Sequence, residues 1–439
     1  MRSNKPVGQI LDLLHDAQFK VILYRASESA LTRSAFDTLT MPAGYTPDDT
    51  WRVLTAFRRQ TALVIPVPAY VYDHGPVETW CSINRAINRM LTEVITTSRM
   101  HFGRPDDAPV DDNRYSYAAF LAKDIRAALL FDGVSVSEEI VNALILMERT
   151  PRNFDEQIAS NLIAIIFNVE RYLKKRITPW TIEDIAGRIE EGCEGHFEKR
   201  ESPLAEHISP NRFCSNEEII ETLCAILAKA APDADNSYLI ELLNISSTLW
   251  EWEPLDRWNG AVELVLRHIG LAAMGLPELG YVPIAWNTYR WIRSENGETI
   301  KDRYWDVEAD IGEGYDETAT IQHALEMILG NIAEMRASLA AEHNRNAPLL
   351  AEIEVDHKLN RRQAHILKQI IANPRHRIKV ASHMRLYGIA YATARSDLLG
   401  LVEMGHLDMH YESRAMVFTA SAQLTDKLNR SVGGVGSSL

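Results

Sequence analysis

Hydrophobic residues recur at three- and four-residue intervals along most of the chain, a spacing that places them on one face of an α-helix. Four segments between residues 138 and 230 and one long segment from Thr318 show it most clearly: EEIVNALILMERT, NLIAIIFNVERYLKKR, TIEDIAGRIEEG, NEEIIETLCAILAKA and TATIQHALEMILGNIAEMRASLAAEH. Acidic residues two and three positions after Thr181 and Ser215 favour helix starts at both places. The sequence therefore predicts a mainly α-helical protein.

Alternation typical of β-strands is sparse before residue 375. The one candidate is TALVIPVPAYVYDHG, which begins at Thr61. Pro66 and Pro68 within it favour an extended or irregular connection over a central strand, because proline donates no hydrogen bond to a sheet. Three further stretches interrupt the helical pattern and are expected to be loops or linkers, namely residues 101–114, 195–215 and 293–317.

The C-terminal part of the chain predicts three helices and a hairpin. NRRQAHILKQIIANP is an amphipathic helix with an Asn-Pro stop, IKVASHMRLYG ends at Gly388, and AYATARSDLLGLVEMG ends at Gly405. HLDMHYESRAMVFTA then alternates like a two-stranded ribbon. This order predicts a winged helix-turn-helix domain over residues 346–430, followed by a flexible tail, residues 431–439.

Length and composition are those of a globular protein of two to four domains: 439 residues, 46% hydrophobic and 24% charged. No apolar run approaches the ~20 residues that cross a bilayer. The first 20 residues lack the uninterrupted apolar core of a secretory signal. Four cysteines are too few for a disulfide scaffold. We therefore expect a cytoplasmic protein without a membrane segment, and the sequence predicts no metal site.

Charge is distributed unevenly along the chain. The net charge of −14 alone argues against nucleic acid. Residues 357–399, however, contain nine Lys or Arg against a single acid, Asp397, whereas residues 1–356 carry a net charge of −21. A compact basic module beside an acidic body is expected where one domain binds a polyanion. The alternative is a solvated basic face with no ligand.

In a winged helix-turn-helix, the third helix lies in the major groove of DNA, and its first residues contact base edges. Basic residues upstream of that helix position the module on the phosphates. The residues expected to bind DNA are Arg375, Arg377, Lys379, His383, Arg385, Tyr391, Thr393, Arg395 and Ser396. A symmetric homodimer would present two such helices to two half-sites. Winged helices also bind proteins, so a protein partner is the alternative to DNA.

Residues 252–268, WEPLDRWNGAVELVLRH, interrupt a hydrophobic helix with a Pro and an Asn-Gly pair. This arrangement resembles the Fic family, whose core is a helix, a loop H-P-F-x-D-G-N-G-R-x-x-R and a following helix. ALLFDGVSVSEEI looks like the S-x-x-x-E-G inhibitory helix of that family, and YWDVEADIGEGYDETATIQHALEMILGNIAEM is similar to its D-x-T helix. TWRVLTAFRR and WCSINRAI would form an N-terminal helical layer. The resemblance implies an N-terminal helical region, residues 1–110, and a Fic-like helical domain, residues 111–345, with the winged helix a frequent companion.

Fic enzymes usually transfer AMP from ATP to a protein hydroxyl. In the intact loop, the His is the general base, the acid holds Mg²⁺, the Gly-Asn-Gly backbone cradles phosphate, and two Arg neutralise charge. Pro254 and the pair Asn259-Gly260 set one alignment with this loop. The base, the metal ligand, the first Gly and the two Arg are then replaced by Glu253, Arg257, Trp258, Ala261 and Leu264.

These replacements make the motif over residues 253–264 degenerate. An ordinary Glu, with a pKa of ~4.3, is a poor base at neutral pH. Arg257 would repel Mg²⁺, and Trp258 would fill the space for phosphate. Arg267, one helical turn beyond Leu264, is the nearby residue that could replace the lost charge. The remnant of an anion-binding site would consist of Trp258, Asn259, Gly260 and Arg267.

The resemblance also implies a remnant of the inhibitory helix, with Ala128 in place of Ser, Asp132 in place of Glu, and Gly133 retained. In active relatives that Glu pairs with the second Arg of the loop. Because Leu264 occupies this position, Asp132 is predicted to have nothing to bind.

The sequence thus predicts a DNA-binding regulatory protein, without a cofactor, on a catalytically degenerate Fic scaffold that serves dimerisation, ligand binding or partner binding. One alternative is a nucleotidyltransferase that uses ATP and Mg²⁺ with Glu253 and Arg257 in altered roles. The other is a protein-interaction module that does not bind DNA.

Overall fold

The computed structural model confirms the mainly α class, since helices account for 67% of the residues that it describes. The described residues are 12–71, 75–100, 102, 117–147, 149–195, 215–292, 314–355, 358–372, 376–412 and 415–433. The three predicted loop stretches fall almost wholly outside these ranges. Within the described residues, no helix is both long enough and apolar enough to span a membrane. The chain divides into two compact units.

The first unit comprises residues 1–103, 120–144 and 151–332. It opens with α1 (Ala17–Glu28), α2 (Arg33–Asp37) and α3 (Pro47–Gln60). Side-chain oxygens cap the starts of these three helices and so satisfy backbone N–H groups that have no partner inside the helix. The helices share one apolar cluster, which includes Phe19, Ile22, Phe36 and Leu54.

A three-stranded sheet follows, with β1 (Leu63–Val71) antiparallel to β2 (Gly75–Cys81) and β3 (Tyr315–Asp316) parallel to β2. The stretch after Thr61 is therefore an extended strand and not an irregular connection, and the prediction that it is no central strand agrees with the structure. Pro66 and Pro68 are tolerated because β1 is an edge strand of this sheet and its register shifts between Ile65 and Ala69. At an edge or a bulge, a missing N–H costs no ladder hydrogen bond.

The first unit contains further helices, one of which, α12, is buried. They are α4 (Arg85–Arg99), α5 (Ala118–Phe131), α6 (Glu138–Ile145), α7 (Phe154–Ile166), α8 (Glu170–Leu173), α9 (Pro179–Ile189), α10 (Asn216–Leu227), α11 (Tyr238–Trp252), α12 (Asn259–Ala273) and α13 (Ile284–Ile292), with a 3-10 turn at Pro277–Tyr281. Every residue of α12 from Asn259 to Leu271 is buried. The helix packs against α7, α8, α9, α11 and the turn. Any charged side chain on α12 must therefore find its partners inside the protein.

The second unit comprises residues 104–119, 145–150 and 333–439. Its helices and strands are the last part of α14 (Thr318–Val355), then α15 (Arg361–Ala372), β4 (Ile378–Lys379), α16 (Val380–Tyr387), α17 (Tyr391–Glu403), β5 (Leu407–Glu412), β6 (Ala415–Ala420) and α18 (Ala422–Gly433). The domain boundary predicted after residue 345 lies inside α14, and the tail predicted from residue 431 begins inside α18.

The three helices and the hairpin that the sequence predicted in this unit are α15, α16, α17 and β5–β6. The strands lie in the order β4-β6-β5 and pair antiparallel. One apolar cluster joins the three helices to the sheet through Ile366, Ile370, Leu398, Leu401 and Phe418. This shared core fixes one face of α17 against the rest of the unit.

Candidate functional site

The loop between α11 and α12 is held by its own side chains. Glu253 and Trp258, at its two ends, adopt left-handed backbone angles, with φ values of 41° and 69°. The Asn259 side chain forms two hydrogen bonds with the backbone of Leu255. Its Oδ1 accepts one from Leu255 N at 3.0 Å, and its Nδ2 donates one to Leu255 O at 2.9 Å. The Asn259 amide, predicted to lie beside an anion, therefore shapes the loop itself.

The first turn of α12 binds a carboxylate from the same chain. Asp132 follows α5 directly, and its Oδ1 accepts a hydrogen bond from Gly260 N at 3.0 Å. Its Oδ2 accepts a second hydrogen bond from Ala261 N at 2.8 Å. A helix start attracts anions because its N–H groups are free and carry partial positive charge. The prediction that Asp132 has nothing to bind was wrong, because its partner is helix backbone and not the missing arginine.

Close packing of α5 against α12 explains why residue 260 is a glycine. A Cβ at this position would lie 2.4 Å from the carbonyl oxygen of Ala128 and 2.7 Å from Cβ of Phe131. Gly133, with φ at 73°, turns the chain immediately after Asp132 in a conformation that favours glycine. The three residues predicted as an inhibitory-helix remnant, Ala128, Asp132 and Gly133, thus border the start of α12.

The Asp132 carboxyl lies in an environment that disfavours its charge. Burial raises the pKa of Asp132 to about 7, although the two backbone hydrogen bonds lower it, and the charge of Glu253 raises it further. Among the described residues, Oε1 of Glu253 is a buried oxygen without a hydrogen-bond partner. The carboxyl groups of Asp132 and Glu253 therefore lie close enough for the charge of Glu253 to disfavour ionisation of Asp132.

A third acid, Glu190, holds the second half of the loop. Arg257 Nη1 lies 2.8 Å from Glu190 Oε1, and Trp258 Nε1 donates a hydrogen bond to Glu190 Oε2 at 3.3 Å. Glu190 follows α9 and is buried, and Trp258 is only 4% exposed. Sequence reasoning missed Glu190 because it lies 67 residues from Arg257 in the chain and belongs to no motif.

Arg267 lies in the core and not beside the loop. Its Nη2 is 2.7 Å from Asp124 Oδ2, its Nε is 2.8 Å from Glu263 Oε1, and its side chain has no exposed surface. Ser246 also donates a hydrogen bond to Glu263, at 2.5 Å, and Trp286 N donates one to Asp124, at 3.0 Å. The prediction that Arg267 replaces the lost anion-binding arginine was wrong, because two buried carboxylates bind its guanidinium.

These contacts decide whether the loop fits Mg²⁺ and ATP. The helix N–H groups that would receive phosphate bond Asp132, and the position expected to hold the metal carries the cationic Arg257. A second cation would be repelled there. The residues present therefore do not fit the group that the resemblance implies.

In the second unit, the start of α17 is a polar, exposed surface. Tyr391, Thr393, Arg395 and Ser396 lie on its first two turns and are exposed, whereas Ala394 points inward. The upstream basic residues Lys379, Arg377 and Arg385 are also exposed. Arg377 forms an ion pair with Glu412 of β5. Arg375 lies outside the described residues.

His383, predicted to contact DNA, is 2% exposed. Its Nε2 lies 3.3 Å from Oδ2 of Asp397, and its ring packs edge-on against Tyr387 with the ring centroids 4.9 Å apart. Burial lowers the pKa of His383, while the hydrogen bond with Asp397 raises it. The prediction was wrong because His383 occupies the inner face of α16, opposite Arg385.

Comparisons with known proteins find similarity among solved structures alone. No known family profile matches the chain, and no curated protein matches it. Among solved structures, the chain is similar to a Fic family protein from Desulfovibrio desulfuricans G20, with 14% sequence identity and a TM-score of 0.39. The alignment covers 81% of this chain and 98% of that chain. At this level of similarity no residue role is transferred.

Proposed function

We propose that the chain is a DNA-binding regulatory protein on a Fic-like scaffold whose loop no longer catalyses nucleotidyl transfer. The observation that carries the proposal is the exposed surface at the start of α17, formed by Tyr391, Thr393, Arg395 and Ser396. It lies within the segment that holds nine basic residues and one acid. The order helix, helix, helix, hairpin around it is that of a winged helix-turn-helix.

The chemistry of this surface suits DNA. An arginine can bind the O6 and N7 of guanine with two hydrogen bonds, and Ser or Thr hydroxyls accept or donate to several base edges. In this role Arg395, Thr393 and Ser396 read bases. Lys379 and Arg385 contact phosphates, which provide affinity without sequence preference. A homodimer doubles this surface and binds two half-sites.

The test is capture of genomic DNA fragments by the full chain. Wild type should enrich a defined set of fragments, and Arg395→Ala should lose that enrichment. The matched control is Arg89→Ala, which removes an exposed arginine from α4 in the other unit and should enrich the same fragments as wild type. Enrichment of no fragments by wild type would overturn the proposal and favour the protein-interaction alternative.

The contacts of the loop between α11 and α12 support a regulatory role over a catalytic one. Asp132 bonds the start of α12, and Glu190 bonds Arg257 and Trp258, so the chain itself fills the positions where a nucleotide phosphate would bind. The helical unit then serves the regulator as a platform for dimerisation, a ligand or a partner.

One observation favours a second candidate, nucleotidyl transfer with an altered base. Within the part of the chain that the structure describes, Oε1 of Glu253 is buried without a hydrogen-bond partner, so this carboxylate has an oxygen to accept a proton. Incubation with labelled ATP, GTP, CTP or UTP separates the candidates. The regulatory proposal predicts no label on protein. Label that appears with wild type and disappears with Glu253→Ala would establish the enzyme.

A further inference from the structure

The single acid of the basic segment, Asp397, is buried beneath the exposed surface of α17. Asp397 is 5% exposed. Its carboxylate accepts hydrogen bonds from Asn360 Nδ2 at 2.8 Å and from Arg362 Nε and Nη2 at 2.7 and 3.1 Å, and it contacts His383 Nε2 at 3.3 Å. One carboxylate on α17 therefore connects the start of α15 and the inner face of α16.

The network fixes the backbone of α17 as well as one side chain. Gln363 Nε2 donates a hydrogen bond to the carbonyl oxygen of Asp397 at 3.0 Å. A Cβ at Gly400 would lie 2.9 Å from the same nitrogen, so Gln363 lies directly against the next turn of the helix. Asp397 is thus held against α15 through both its side chain and its backbone.

These hydrogen bonds restrain the rotation of α17 about its own axis, which apolar packing alone restrains weakly. Leu398 and Leu401 bury the inner face of α17, but contacts between aliphatic groups are not directional. Hydrogen bonds from a guanidinium to a carboxylate have a fixed planar geometry and are stronger than neutral ones. The carboxylate of Asp397 therefore sets the rotation of α17 about its own axis, and with it the direction in which Arg395 and Ser396 point.

We propose that Asp397 is a positioning residue that fixes this rotation, and that the selectivity of the module for its DNA site over unrelated DNA depends on it. The inference rests on the proposed DNA-binding function. It assigns base selectivity to a residue that itself has no access to DNA.

The test compares the full-length wild type and Asp397→Asn on an enriched genomic fragment and on unrelated DNA of equal length. Asparagine keeps the shape but removes the charge, and its NH₂ group would face the donors of Asn360 and Arg362. We expect affinity for the enriched fragment to fall on the order of tenfold, comparable to one mismatched base pair. Affinity for unrelated DNA, and its dependence on salt, should stay within about twofold, because the phosphate contacts are unchanged.

Leu401→Ala is the matched control, because it removes a buried side chain from the same helix without touching the Asp397 contacts. It should lower the thermal stability and leave the selectivity ratio unchanged. If Asp397→Asn does not fold, Arg362→Gln provides the same comparison, since Arg362 is partly exposed, and its selectivity ratio should fall in the same way.

The outcomes separate the two proposals. Failure of wild type to bind any DNA would overturn the proposed function and this inference together. Selective binding by wild type with equal selectivity in a folded Asp397→Asn or Arg362→Gln would overturn the inference and leave the proposed function intact. A selectivity loss as large in Leu401→Ala as in Asp397→Asn would also overturn the inference, because general destabilisation of the helix would then explain the loss.

Discussion

Replacement of Asp132 by alanine tests whether the start of α12 is an anion site filled by the chain's own carboxylate. The change leaves Gly260 N and Ala261 N without their acceptor. Hydrogen bonds to charged groups contribute ~1.5–3 kcal/mol each, so two of them set an upper limit of ~6 kcal/mol. Burial of the carboxylate offsets part of this, as its raised pKa of about 7 indicates. We expect a net loss of ~1–3 kcal/mol in the free energy of unfolding.

The diagnostic part of the experiment is rescue by phosphate. Once the carboxylate is removed, phosphate can enter the vacated space and bind the two N–H groups. At a phosphate concentration about ten times its Kd, binding stabilises the native state by ~1.4 kcal/mol. Thermal unfolding of wild type and variant is measured in sodium phosphate and in sodium chloride at equal ionic strength. The midpoint of Asp132→Ala should rise selectively in phosphate, whereas that of wild type should not.

Asp16→Ala is the matched control, because Oδ1 of Asp16 also accepts two backbone hydrogen bonds at a helix start, from Gln18 and Phe19 of α1. This variant should lose stability but respond to phosphate like wild type, because water can reach the start of α1. The reasoning is refuted if Asp132→Ala is as stable as wild type. It is also refuted if all three proteins respond equally to phosphate.

Three further predictions concern the same unit. Gly260→Ala should cost ~2–4 kcal/mol in denaturant unfolding, although alanine favours helices by ~1 kcal/mol, because its Cβ would overlap α5; a gain in stability would contradict the packing. Arg267→Met should cost ~3–5 kcal/mol by leaving Asp124 and Glu263 buried without a cation, and unchanged stability would contradict the ion-pair network. Between about pH 4 and 7, native Asp132 holds its proton while the unfolded residue has lost it, so its contribution to the free energy of unfolding falls as pH rises. Relative to wild type, Asp132→Ala should therefore lose this downward slope, and identical pH profiles would contradict the raised pKa.

The sequence predicted the helices well because their apolar spacing is local information. It also predicted the β5–β6 hairpin from its alternation. The β1–β2 hairpin was missed because prolines are excluded from central strands, and only the fold shows that β1 is an edge.

The contacts of the candidate site could not be predicted from the sequence without the fold. Asp132 and Glu190 reach the loop from 128 and 67 residues away, a separation that no local pattern encodes. The burial of His383, in contrast, was readable from the sequence. Val380, His383 and Tyr387 follow the spacing of one helix face, and Arg385 lies about 200° away from His383 on the same helix.

The most direct test of DNA binding is the salt dependence of the affinity of the full chain for an enriched genomic fragment, measured by fluorescence anisotropy. Log K should fall linearly with log salt concentration, and Lys379→Ala or Arg385→Ala should each reduce the slope by about one. Arg395→Ala should weaken binding to the fragment far more than binding to unrelated DNA. An affinity that is indifferent both to salt and to Arg395→Ala would contradict the account.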